Sequence, residues 1–111
     1  MKTTIDRPVA SASLVLVRDG KRTPVKVELG QPYVVSPVEA RCPASLDGLD
    51  AQPPDVCGSN TVQAVTLALR LLHGRLLDQL DKGHTLLDDD GIALDRASLD
   101  LLFSRGDWRR V

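Results

Sequence analysis

The segment Ser59–Lys82, SNTVQAVTLALRLLHGRLLDQLDK, decides the fold of this 111-residue chain. Apolar residues recur along it at alternating steps of three and four, which places them on one face of a helix. That face consists of Val65, Leu69, Leu72, Leu76 and Leu80, widened by Ala64, Leu67, Ala68 and Leu71. A helix of this segment is roughly 35 Å long at about 1.5 Å per residue. A face so long and so apolar needs a second layer of structure to cover it.

Capping signals set the two ends of this helix. Asn60 suits the N-cap because its side-chain oxygen can accept a hydrogen bond from a first-turn amide, and Gln63 can reach back toward it. Gly58 and Gly83 flank the segment at its two ends. Gly74 interrupts the helix and costs roughly 1 kcal/mol relative to alanine. We therefore expect either a bend or a close backbone contact at Gly74.

Two alternating segments before the helix predict a β-hairpin. Ala10–Val17 and Thr23–Leu29 place apolar side chains at every second position, as half-buried strands do. Asp19 and Gly20 lie between them, and this dipeptide favours a tight turn with positive φ angles. One face of the hairpin is expected to be buried and the other solvated.

Further elements complete the predicted fold. Val38–Cys42 alternates and predicts a third strand with three inward residues, Val38, Ala40 and Cys42. A short fourth strand is predicted within residues 51–57, whereas Leu46–Leu49 is interpreted as a turn. Asp95–Phe103 predicts a short helix capped by Asp95, with an apolar side formed by Leu99, Leu102 and Phe103. The chain is thus predicted to be a single α+β domain, residues 1–111. It would have two layers, an antiparallel sheet of three or four strands packed on the long helix, with a short C-terminal helix.

The composition disfavours nucleic-acid-binding and membrane proteins. The formal net charge is −1, so the basic excess that phosphate backbones require is missing, and a nucleic-acid-binding protein is disfavoured. No segment approaches membrane-spanning length, and the N-terminal segment is interpreted as a strand and not as an export signal. We therefore expect a cytoplasmic protein with no membrane partner, in which Cys42 and Cys57 are reduced.

A Cys-Pro pair, a Gly-Leu turn and a Gly-x-Asn-x-x-Gln-Ala helix start follow one another between Cys42 and Leu72. This run resembles a group of small bacterial proteins that are catalogued as a domain of unknown function. The matching residues are Cys42, Pro43, Gly48, Leu49, Gly58, Asn60, Gln63, Ala64, Leu67, Ala68 and Leu69. The resemblance covers about a third of the chain, and Asn60 stands where the group has an aspartate. It implies an antiparallel sheet packed on one long helix, and it implies no activity.

An acidic turn consists of Asp88, Asp89, Asp90 and Gly91. A calcium-binding EF-hand is excluded, because Gly91 at the sixth loop position leaves Leu86 first and Ala97 last, where acidic ligands are required. The wider segment 78–100 holds seven aspartates against Lys82 and Arg96. Such a surface suits a partner protein with a basic face.

The C-terminal tail carries a second candidate binding element, Trp108 beside Arg109. An indole among arginines is the kind of anchor that occurs at protein interfaces. In the alternative interpretation, Trp108 folds back as a lid on the core. The sequence leaves both interpretations open.

The sequence contains no recognisable set of catalytic, cofactor-binding or metal-binding residues. His73 lies beside the apolar stripe and is interpreted as a histidine at the margin of the core. We therefore expect a non-enzymatic protein-binding module of a bacterial cytoplasm. It would be an immunity or antitoxin-type inhibitor, or a homodimer, and would need no cofactor. The alternative is a small-ligand-binding or enzymatic domain with a pocket between helix and sheet. A buried cluster of Gln63, Arg70 and His73 would favour that alternative.

Overall fold

The computed structural model describes residues 2–49 and 52–103. In chain order its elements are β1 (Ala10–Arg18), β2 (Lys21–Leu29), β3 (Tyr33–Ser36), β4 (Glu39–Cys42), β5 (Ala44–Asp47), β6 (Val56–Gly58), α1 (Thr61–Asp81), β7 (Thr85–Leu87) and α2 (Arg96–Leu102). Neither of these two helices is long and apolar enough to cross a membrane.

The strands form two antiparallel sheets, one in the order β5-β2-β1-β7 and the other in the order β3-β4-β6. Helix α1 lies against β4 and β6 of the smaller sheet and against β5, β7 and β2 of the larger one, and α2 packs on α1. The predicted α+β class, with a long helix on an antiparallel sheet and a short C-terminal helix, is confirmed. The strands are nevertheless divided between two sheets, whereas the sequence predicted one.

The β1–β2 hairpin has the predicted turn. Asp19 and Gly20 adopt φ angles of 53° and 77°, and Arg18 pairs with Lys21 across the turn. The strands bury alternate apolar residues, namely Leu14, Leu16, Val25, Val27 and Leu29. The inner face of the hairpin therefore supplies much of the aliphatic core.

The start of α1 is fixed by a compact set of local contacts. Asn60 Oδ1 accepts a hydrogen bond from the Gln63 amide at 2.8 Å, and Gln63 Oε1 accepts one from the Ser59 amide at 2.6 Å. A Cβ atom on Gly58 would lie 2.6 Å from the backbone nitrogen of Ala64. Only glycine fits at position 58, because the first turn of the helix packs directly against β6.

The buried face of α1 differs from the predicted stripe. It consists of Ala64, Ala68, Leu72, His73 and Leu76. Leu69, a predicted member of the stripe, keeps 36% of its surface exposed. The alanines at positions 64 and 68 let the N-terminal half of the helix approach the strands closely. The contact therefore follows a four-residue spacing that begins at Ala64.

Several local predictions were wrong. Val38 is 78% exposed, because it lies in the turn that precedes β4 and not in the strand. The predicted turn Leu46–Leu49 begins as the end of β5, which pairs with β2. Leu102 is 46% exposed, because it lies at the end of α2 and lines an open depression instead of the closed core.

The two cysteines have different surroundings. Cys42 is buried, Cys57 is exposed, and both thiols are free. Burial, with a smaller contribution from the charge of Asp55, raises the pKa of Cys42 to about 11. Cys42 therefore behaves as a small apolar core residue.

Candidate functional site

The acidic turn follows β7 and is held by the side chain of its first residue. Asp88 Oδ1 accepts hydrogen bonds from the amides of Asp90 and Ile92, each at 2.9 Å. The Asp88 amide in turn donates to the Ile92 carbonyl at 2.9 Å, and Gly91 adopts a φ angle of 78°. Asp88 thus forms the turn, while Asp89 and Asp90 remain exposed on its outer side.

Four of the seven aspartates in segment 78–100 have partners within the chain. Asp81 forms an ion pair with Arg96 at 2.6 Å, and Asp95 accepts a hydrogen bond from the Ser98 amide as the N-cap of α2. Asp88 holds the turn, and the fourth of these aspartates, Asp100, contacts a histidine. The other three, Asp78, Asp89 and Asp90, are exposed; Asp78 lies on α1, so the turn itself presents Asp89 and Asp90.

An apolar side chain accompanies these two carboxylates. Ile92, immediately after the turn, is 63% exposed. The backbone pairing that holds it continues to Leu94, whose amide donates to the Leu86 carbonyl at 2.8 Å. Asp89, Asp90 and Ile92 form the exposed surface of the acidic turn. This surface is charged, partly apolar and fixed in shape.

The second predicted binding element, Trp108 with Arg109, lies outside the described residues. The chain is described as far as Phe103, which lines an apolar depression of about 280 Å³ between α1, α2 and the hairpin. Leu69 and Leu102 line the same depression and are partly exposed. The depression is wide enough to admit an apolar side chain.

His73 joins the two helices. Its Nε2 lies 2.7 Å from Asp100 Oδ1, and its ring stacks on Phe103 with 4.9 Å between centroids. The prediction of a histidine at the margin of the core is confirmed. Gln63 and Arg70 are exposed, and Gln63 is used at the helix start, so the proposed buried cluster with His73 does not form.

A second charged surface, called the basic cleft below, lies between α1, the end of the β1–β2 hairpin and the turn after β5, and has a volume of about 580 Å³. It is lined by Arg18, Gly48, Leu49, Arg70, Leu71, Gly74, Arg75, Asp78, Gln79 and Lys82. Most of these residues belong to α1 or to its C-cap. The sequence predicted this helix. It did not reveal the cleft, because the opposite wall comes from the β1–β2 hairpin and the turn after β5.

A buried carboxylate fastens the N-terminal segment to the rest of the fold. Asp55 accepts hydrogen bonds from the Thr3 amide at 2.8 Å, the Thr3 hydroxyl at 2.6 Å and the Tyr33 hydroxyl at 2.6 Å. Burial by itself raises the pKa of Asp55, but these bonds and the charge of Lys2 outweigh it, so the pKa lies below its ordinary value. This cluster is a structural anchor, and no local pattern in the sequence predicted it.

No group of three or more His, Cys, Asp or Glu side chains within residues 2–49 and 52–103 is arranged to hold a metal ion. No protein-family model, curated protein or solved structure matches the chain at a significant level.

Proposed function

We propose that this chain is a non-enzymatic protein-binding module, an inhibitor of the immunity or antitoxin type, that binds the basic surface of a partner protein through the acidic turn. The observation that carries the proposal is the exposure of Asp89, Asp90 and Ile92 on a turn whose backbone Asp88 already holds. A preformed loop loses little conformational entropy on binding, so more of its contact energy appears as affinity.

The three exposed side chains have complementary roles. Asp89 and Asp90 accelerate association with a basic surface and orient it, and faster association lowers the dissociation constant. Ile92 supplies apolar area that leaves water on contact, at about 25 cal/mol per Å². An apolar anchor with a charged rim is the usual arrangement of a small protein interface.

The proposal includes a bacterial cytoplasm as the compartment. Two free thiols, one of them exposed, are compatible with a reducing environment. A homodimer is the alternative form of partner binding, since the valines of the edge strand β3 are exposed.

We further propose that the chain is related to the bacterial group of unknown function that its sequence resembles. The helix-start residues of that resemblance share one physical task here. Gly58 makes room for the helix, Asn60 accepts a hydrogen bond from the Gln63 amide in its first turn, and the Gln63 side chain accepts one from the Ser59 amide just before it.

Affinity capture from a lysate of the source organism tests the proposed function. The bait is compared with the double variant Asp89→Asn/Asp90→Asn and with Ile92→Ser. We expect a protein recovered by the wild type to be lost or strongly reduced with both variants. The matched control is Asp6→Asn/Asp47→Asn, which removes two exposed carboxylates elsewhere. Equal recovery by the turn variants and the control would refute the role of the acidic turn.

A further inference from the structure

The basic cleft has a charge that the rest of the molecule does not share. Among the described residues that line it, four are cationic and one is a carboxylate, an excess of three positive charges. The whole chain has a formal net charge of −1. The cationic side chains are Arg18, Arg70, Arg75 and Lys82. Arg18 comes from the hairpin, Arg70 and Arg75 come from α1, and Lys82 is the C-cap of that helix, so the fold gathers them along one groove.

Gly74 forms part of the floor of this cleft. It lies inside α1, where glycine is less favourable than alanine by roughly 1 kcal/mol. A Cβ atom at this position would meet nothing within 4 Å, and the backbone has no positive φ angle that would demand glycine. The close contact that the sequence suggested at Gly74 is therefore not made by the described residues of the chain itself. What glycine does provide is open space beside the basic side chains.

From these two observations we infer that the basic cleft binds a small organic anion carrying a di- or triphosphate group. Such a group has about three to four negative charges near neutral pH, which is close to the excess in the cleft, whereas a single carboxylate has one. Guanidinium groups suit phosphate oxygens because their planar fork can donate two parallel hydrogen bonds. Arg18 and Arg75 also interact with other groups of the chain, so an anion would share them.

The cleft also fits the organic part of such a ligand. Its volume of about 580 Å³ lies within the range of roughly 300–1,000 Å³ that small-molecule sites occupy. Leu49 and Leu71 supply apolar surface on its walls. Gly74 lets the anion approach the helix closely, in the way glycines do where a backbone meets a ligand.

Calorimetric titration with ATP and with inorganic pyrophosphate tests the inference. We expect the wild type to bind both, and Arg70→Gln/Lys82→Gln to weaken ATP binding by roughly tenfold or more, since two charge-assisted contacts are lost. The control Arg7→Gln/Lys26→Gln removes one exposed arginine and one exposed lysine outside the cleft. Its dissociation constant for ATP should stay within about twofold of wild type, as expected for remote exposed charges.

Gly74→Gln separates binding from folding. Glutamine is a better helix former than glycine, so this variant should be at least as stable as the wild type while its side chain fills the cleft. We expect ATP binding to fall by roughly tenfold, and Val62→Gln, at an exposed site in the first turn of α1, to leave binding unchanged. The inference is overturned if the wild type binds neither probe at millimolar concentration. It is also overturned if the cleft and control pairs weaken ATP binding equally.

The outcome is independent of the proposed protein-binding function. Asp89→Asn/Asp90→Asn should leave ATP affinity unchanged, because neither residue lines the cleft. Loss of protein capture with retained ATP binding would separate the two sites.

Discussion

The acidic turn is built from residues adjacent in sequence, whereas the basic cleft is assembled from three separated segments. Asp88 holds the turn through two hydrogen bonds to amides two and four residues away. The cleft depends on how α1 lies against the hairpin and the turn after β5. The turn can therefore keep its shape when the packing of the core is loosened, but the cleft cannot.

The largest expected effect comes from the packing that both surfaces share. Leu76 is fully buried on the inner face of α1. Leu76→Ala should lower the free energy of unfolding by about 3 kcal/mol, within the usual range of roughly 2–5 kcal/mol for such substitutions. Urea denaturation measures this loss. The control Leu101→Ala removes an exposed leucine and should cost about 0.5 kcal/mol or less. Equal losses would show that α1 is not packed as described.

Leu76→Ala also tests whether the acidic turn and the basic cleft depend differently on the packing of α1. In the molecules that stay folded, the cavity left by the removed Leu76 side chain should weaken ATP binding in the cleft more than partner binding at the turn. Titrations corrected for the unfolded fraction measure both affinities. Equal weakening would contradict the view that only the cleft depends on the position of α1.

A second effect concerns a region remote from both surfaces. Asp55→Asn should lower the free energy of unfolding by about 2 kcal/mol, because hydrogen bonds to a charged acceptor are weakened. Binding at the turn and in the cleft should not change. The control Asp47→Asn alters an exposed carboxylate and should have little effect on stability.

Asp55 also gives stability a defined dependence on pH. Its pKa is lower in the folded chain than its ordinary value of 3.8. Its contribution to stability is therefore complete above that ordinary value and is lost as the pH falls through the folded pKa. Urea denaturation from pH 6 to pH 2, on the order of one measurement per pH unit, should show a steeper acid loss for wild type than for Asp55→Asn. Parallel curves would contradict the hydrogen-bonded, ionised carboxylate.

A smaller effect tests the preformed turn directly. Asp88→Ala removes two hydrogen bonds in an exposed turn and should cost about 1 kcal/mol of stability. Partner affinity should fall by a few-fold, although Asp89 and Asp90 are still present, because the turn must be ordered on binding. Glu28→Ala, a carboxylate removed from a β-strand, is the matched control in the same titration. Unchanged affinity of Asp88→Ala would show that a preformed turn is unnecessary.

The smallest effect has the opposite sign. Gly74→Ala should raise the free energy of unfolding by about 0.5–1 kcal/mol, because alanine favours the helix and meets no neighbouring atom. Thermal unfolding measures the gain. A loss of stability would mean that the backbone at Gly74 needs glycine for a reason within the chain, which would remove an argument for the cleft.

The sequence predicted those features that depend on neighbouring residues. The Asp19-Gly20 turn, the Asn60 cap, the Asp95 cap and the acidic turn all formed as expected, because their hydrogen bonds span only a few residues. The division into two sheets was not predicted, since the strands of the second sheet, β3, β4 and β6, have only three or four residues each and carry little periodicity.

The candidate sites divide in the same way. The exposed carboxylates Asp89 and Asp90 were recognised from their spacing, whereas the partners of His73 and the walls of the cleft were not. Asp100 is twenty-seven positions from His73, and Arg18 is more than fifty from Arg70. Pattern within a segment carries no information about which remote segment packs beside it, so such sites become visible only in the folded chain.

The binding of a partner by the acidic turn is tested most directly by titrating the captured protein into three purified chains. These are the wild type, Asp89→Asn/Asp90→Asn and the cleft variant Arg70→Gln/Lys82→Gln. We expect the turn variant to raise the dissociation constant by roughly tenfold, equivalent to about 1.4 kcal/mol, and the cleft variant to change it by less than about twofold. The same dissociation constant for the wild type and the turn variant would contradict the proposed function.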